Sequence, residues 1–178
     1  MGAAAKQRKS GRLHEFQTQL LGRMHAACNG TDTRESRLGV VVCGRHSLVD
    51  LREAEEILHV MLITPVPLTK DWYLGLANVR GNLISVIDLD RFCGSAPQVR
   101  SKDSRVILLR GAHLGLCGFL VSSVLGLRYV QDMHLQDNCQ FPPTWPFASV
   151  YLDRDKRAWF EINFAGVMND ARFLHVAL

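Results

Sequence analysis

The side chains that could ligate a metal or act as nucleophiles here are five cysteines and seven histidines. Cys28, Cys43, Cys93, Cys117 and Cys139 form no C-x-x-C pair and no metal-ligand spacing. No two histidines stand four apart on one helical face, so no zinc site is expected. G-x-S-x-G, the P-loop, G-x-G-x-x-G and H-E-x-x-H are all absent from the sequence. Catalysis would need scattered Cys and His residues to converge in the fold. The expectation is a chain that is no enzyme and holds no metal, nucleotide or other cofactor. An odd thiol count fits a reducing compartment, with the cysteines acting as small buried hydrophobes.

The chemistry that remains is charge recognition, and it centres on Arg80. Residues 75–94 read GLANVRGNLISVIDLDRFCG. Leu74, Leu76 and Val79, then Leu83, Ile84, Val86, Ile87 and Leu89, make two β-capable runs around Arg80-Gly81-Asn82. Gly-Asn between two such runs predicts a type II′ hairpin, with Gly81 supplying positive φ at the first central position. Arg80 would then end a strand, its stem over apolar surface and its guanidinium free to grip a carboxylate with both arms. The ordinary alternative is a hairpin whose arginine pairs with a nearby acid. Sequence alone leaves both open.

A chain of 178 residues holds one domain, or two small subdomains sharing a core. Its apolar fraction of 47% is that of a globular protein, and no run approaches the roughly 18 residues of a membrane span. The opening MGAAAKQRKSGR has no apolar segment after it and no Ser or Thr at position 6. Neither a secretory signal nor a myristoylation site is expected, and the location expected is cytoplasmic. Net charge is +4, but Lys6, Arg8, Lys9 and Arg12 all precede the first acid. Residues 1–11 are read as a disordered, solvated basic tail.

Residues 12–36 are read as an amphipathic helix and linker. Leu13, Phe16, Leu20, Leu21, Met24 and Cys28 share one helical face, and Asn29-Gly30 ends it. The helix is expected to pack on its own body rather than on a partner. From residue 37 to 178 the pattern changes to short strands, at about 38–43, 46–51 and 57–63, then the hairpin. Two more hairpins are expected about residues 111–113 and 153–156, with a strand at 124–130 and a short helix near 165–174. Strands every 8 to 12 residues with turns between them argue for small barrels or a sandwich rather than a parallel sheet.

The glycine, the Asn-x-Arg-Gly turn and the apolar strand ending in Val86-Ile87-Asp88-Leu89 resemble the signature of the CheW-like chemotaxis adaptors. Two further blocks stand in the right order. Upstream, residues 53–58 (EAEEIL) are similar to a motif that sets a glutamate before an apolar residue. Downstream, RVIL at 105–108, LCGFLV at 116–121 and VLG at 124–126 resemble the family's R-x-I…G-x-x-V hairpin. The likeness spans residues 38–164. Ser85 replaces a common proline, which frees a backbone N–H. Ser122 replaces a common acid, which puts any charge contact there in doubt.

The resemblance implies a mainly β fold of two small five-stranded β-barrel subdomains packed together, with the N-terminal helix outside them. It implies an adaptor joining methyl-accepting receptors to a CheA-type histidine kinase, with no nucleic acid and no direct membrane insertion. Carried over by motif, the receptor-binding residues are Glu56, Val79, Arg80 and Gly81, beside a groove between the barrels. The alternative is that Glu56 and Arg80 pair only with each other, holding strand ends together. The kinase surface is not assigned by residue; residues 124–126 and the loop before Trp72 are candidates, though core packing explains apolar residues equally well. Trp72, Trp145 and Trp159 could anchor an interface, but packing is expected of at least two. Asp88 is expected to cap the turn at residues 90–92.

The turn, residues 56–59, the N-terminal helix and the ending FLHVAL look most like the family's pilus branch, which controls type IV pili and twitching motility. A generic flagellar-type coupling protein is the nearer alternative. The rival of a different class is a small barrel binding nucleic acid, suggested by pI 8.9. Against it, the basic residues outside the tail do not cluster with Phe, Tyr or Trp.

Overall fold

Alternation of apolar residues writes the first strand: Leu38, Val40 and Val42 line one face of β1 (Ser36–Val42) and are fully buried. The computed structural model describes residues 35–96, 100–109, 117–136, 139–142 and 145–178. The basic tail and the helix expected before residue 35 lie outside the described residues, as does the expected turn at 111–113. Ser36–Leu178 form one compact unit.

Along that unit follow β2 (Arg45–Asp50), β3 (Ala54–His59), β4 (Tyr73–Val79), β5 (Asn82–Asp88) and the one-turn helix α1 (Leu89–Phe92). Then come β6 (Arg105–Leu109), β7 (Cys117–Val121), β8 (Ser123–Tyr129), β9 (His134–Gln136), β10 (Phe147–Leu152) and β11 (Ala158–Ile162). Two short helices, α2 (Phe164–Asn169) and α3 (Ala171–Leu174), finish it. The strands form two sheets, in the orders β8-β1-β2-β11-β10-β9 and β3-β6-β7-β5-β4. The mainly β, two-sheet architecture is as expected. The first sheet, however, has six strands rather than five. The extra one, β9, is only three residues long, exposed throughout and held by β10 alone.

In the five-stranded sheet the edges β3 and β4 are brought together by the chain itself. After β3 it leaves the ladder, then pairs again at Thr64 with Leu76 of β4, through N–H to O bonds of 2.8 and 2.9 Å. This explains why apolar alternation continues past His59 to Ile63 although the ladder ends at His59. Gly75 makes the closure possible. Its φ is +127°, and a Cβ there would stand 2.1 Å from the Thr64 carbonyl oxygen.

Aromatic rings dock the C-terminal helices on the five-stranded sheet. Phe119 of β7 is fully buried, 4.9 Å from the Phe164 ring and 6.0 Å from that of Phe173. Trp72 stacks on Phe173 and meets Phe92 edge-on. Fully burying a side chain of this size contributes about 1.5–3 kcal/mol. Trp72 and Trp159 are buried, as expected of two of the three tryptophans, while Trp145 is half-buried. Trp159 donates its ring N–H to Asp153 at 2.9 Å and lies under the Arg128 guanidinium. Arg37 is buried between Glu161 at 3.2 Å and Asp50 at 3.8 Å, tying β1 to β11 and β2.

Candidate functional site

Register decides what the β4–β5 turn presents. Val79 pairs with Asn82, so the two central residues are Arg80 and Gly81, with φ of 52° and 88°. Positive φ at both is the type I′ pattern, not the II′ turn with Gly81 first that the sequence suggested. The two registers differ by two residues and put the same side chains on the same face, so apolar patterning cannot choose between them. The Asn78 side chain accepts the Gly81 N–H at 2.9 Å and holds the tighter turn. Gly81 does have the positive φ expected of it. Arg80 lies inside the turn rather than at a strand end, in a left-handed conformation that costs a non-glycine residue roughly 1 kcal/mol.

From that turn Arg80 donates Nη2–H to Glu56 Oε1 at 2.7 Å. Glu56 sits on β3 and Arg80 beyond β4, so the pair links the two edges of the same sheet. The Glu56 side chain is 19% exposed and that of Arg80 77%. The ordinary pairing is therefore present while most of the fork still faces solvent. Val79 is partly buried against the cluster of Ala77, Ile84, Val86, Val106, Leu108 and Leu120, which fixes the base of the turn. The structure thus brings Glu56, Val79, Arg80 and Gly81 together.

Leu83 belongs with them and was missed. It is 67% exposed one residue past the Val79–Asn82 pair, so an apolar side chain stands in solvent on the strand that leaves the turn. Strict alternation carried the signal: with Ile84 and Val86 buried, Leu83 must point outward.

At its other end β5 reaches Asp88, which caps α1 by accepting the Arg91 N–H at 3.1 Å, as expected. Asp90, in the same helical turn, accepts the Cys43 N–H at 2.7 Å and so ties α1 to the β1–β2 turn of the other sheet. Burial pushes the Asp90 carboxyl up, the Cys43 N–H opposes this, and the charge of Asp88 adds to it. Six residue steps of strand, roughly 20 Å, separate the Arg80 turn from this junction. Of the candidate kinase segments, Val124, Leu125 and Gly126 lie half-buried in the edge strand β8. Before Trp72, Leu68 is 78% exposed and accepts a backbone bond from Leu178.

Among the described residues no three His, Cys, Asp or Glu side chains gather as metal ligands. No described helix is long and apolar enough to cross a membrane. The arrangement offers an exposed cation at a hairpin tip and an exposed apolar side chain on the adjoining strand, which is the chemistry of a protein contact.

Residues 37–172 match the model of the CheW-like domain. The chain is 34% identical over 148 residues to Protein PilI of Pseudomonas aeruginosa, covering 80% of each chain. Its fold is similar to that of the scaffolding protein TtCheW from Thermoanaerobacter tengcongensis, with a TM-score of 0.63, 21% identity, and coverage of 75% of this chain and 86% of that one.

Proposed function

The chain belongs to the CheW-like domain family, and from that premise we propose that it is a non-catalytic adaptor of the pilus chemosensory branch, acting in the cytoplasm. It couples a methyl-accepting receptor to a CheA-type histidine kinase and thereby controls twitching motility. The observation that carries this reading is the tip of the β4–β5 turn, where an exposed Arg80 is held against Glu56 and an exposed Leu83 follows on the next strand. The receptor contact uses Glu56, Val79, Arg80 and Gly81. Arg80 supplies a planar fork for a carboxylate on the receptor tip, and Val79 and Gly81 fix its direction. The likeness to PilI supports the pilus branch over a flagellar one.

Function in such an adaptor comes from bridging: each partner held raises the effective concentration of the other. The reading predicts an optimum dose. Added to a fixed mixture of receptor tip and kinase, the protein raises complex size to a maximum, and excess then lowers it by occupying receptor and kinase separately. A strictly saturating curve, or turnover of any small substrate by the isolated chain, contradicts the adaptor. Loss of twitching on deletion, restored by the wild-type chain, tests the branch; an effect on swimming alone overturns it.

A further inference from the structure

Cys43 and Cys93 stand fifty positions apart, beside strands of different sheets, yet the fold sets them against one cavity. Cys43 opens the two-residue turn between β1 and β2, and Cys93 caps the C-terminus of α1 beyond β5. The two side chains lie close enough to influence one another's titration. Both are half-buried and line a cavity of about 80 Å³ with Arg45, Ser95, Trp145 and Phe147. Both backbones are anchored on α1. Cys43 N–H is bound at 2.7 Å by Asp90, and Cys93 N–H is bound at 3.1 Å by Leu89 O of the same helical turn. Both thiols are free in the structure. Nothing in the adaptor mechanism uses them.

We propose that Cys43 and Cys93 are a dithiol modification site, which takes up an intrachain disulfide by exchange with a low-molecular-weight disulfide and so staples the two sheets together. The Cys43 thiolate attacks one sulfur of the small disulfide, forming a mixed disulfide and releasing one small thiolate. Cys93 then loses its proton, attacks the Cys43 sulfur and releases the second small thiolate. The protein gives up two electrons and two protons; the small disulfide leaves as two thiols. Cys43 is the attacking member. The neighbouring Cys93 lowers its thiol, burial opposes this, Ser95 lowers it further and the Asp90 charge raises it, with a net shift downward. Cys93 is pushed up by the neighbouring Cys43 and by partial burial, which suits the resolving role. Cys117 is buried, raised by that burial and unlinked to them; Cys139 is exposed.

The test uses the full chain, equilibrated in glutathione–glutathione disulfide buffers of increasing oxidation, quenched in acid, alkylated and mapped by mass spectrometry. Cys43 and Cys93 are expected to lose alkylation together, at one poise, and to appear in a single cross-linked peptide pair. C43S and C93S should each abolish that pair and leave glutathione on the remaining cysteine. Closing a loop of about fifty residues should also raise the Tm of the oxidised wild type by roughly 5–10 °C, and of neither variant. Independent titration of the two thiols, separate glutathione adducts on both, or preferential linkage of either to Cys139 would overturn the proposal. The wild-type map decides the matter even if a variant folds poorly.

Discussion

Two hairpin turns of this chain share one backbone and differ in everything around it. Cys43-Gly44 closes β1–β2 with φ of 51° and 67°; Arg80-Gly81 closes β4–β5 with 52° and 88°. Each sets a non-glycine residue in the left-handed region at a similar conformational cost, roughly 1 kcal/mol. The first turn is tucked against the other sheet, its N–H held by Asp90. The second stands in solvent, its guanidinium on Glu56. One strained turn serves an internal joint and the other an outward contact, so turn type says nothing of role; burial and the partner's position do.

If the joint side carries the stability, its substitutions must cost most. Phe119→Ala, at the ring cluster that docks α2 and α3 on β7, should lose about 3–5 kcal/mol and lower the Tm by about 10 °C or more. A loss under 1 kcal/mol in urea titration would deny that this cluster carries the core. Asp90→Ala should follow at about 1–3 kcal/mol, since it leaves the Cys43 N–H without its acceptor. Gly44→Ala and Gly81→Ala sharpen the comparison from the backbone side. A Cβ meets nothing within 4 Å at either position, so both should cost the same, about 1 kcal/mol, from φ alone. Glu56→Gln should cost the least, about 0–1 kcal/mol, because its partner is largely exposed.

The joint should also leave a pH signature. Burial raises the folded-state pKa of Asp90. A raised group favours the fold fully below its unfolded pKa and loses that contribution as pH rises through its folded pKa. Asn keeps the acceptor without the charge, so Asp90→Asn should melt above wild type at pH 7. The difference should close as pH falls toward the ordinary carboxylate range. A gap that is constant with pH would place the Asp90 charge outside the joint.

The strands were legible because one buried face alternates, as Leu38, Val40 and Val42 do. The six-stranded count was not, since His134, Leu135 and Gln136 are all exposed and show no inward face to read. Nor was the register at Arg80, because a slip of two residues keeps every face. The meeting of Glu56 and Arg80, 24 residues apart across a sheet's two edges, was suggested by family likeness and not by spacing. Cys43 and Cys93 looked isolated because no local pattern reports a contact made between two sheets.

The most direct test of the outward turn is Arg80→Glu, read as binding to a receptor cytoplasmic tip in the presence of kinase beside a melting curve of the same sample. Reversing an exposed charge removes a pair worth little to the fold, so Tm should stay within about 3 °C of wild type. Receptor binding should fall at least tenfold, about 1.4 kcal/mol. Unchanged binding with an unchanged Tm would contradict the assignment of Arg80 to the receptor contact, and a collapsed Tm would make it a structural residue instead.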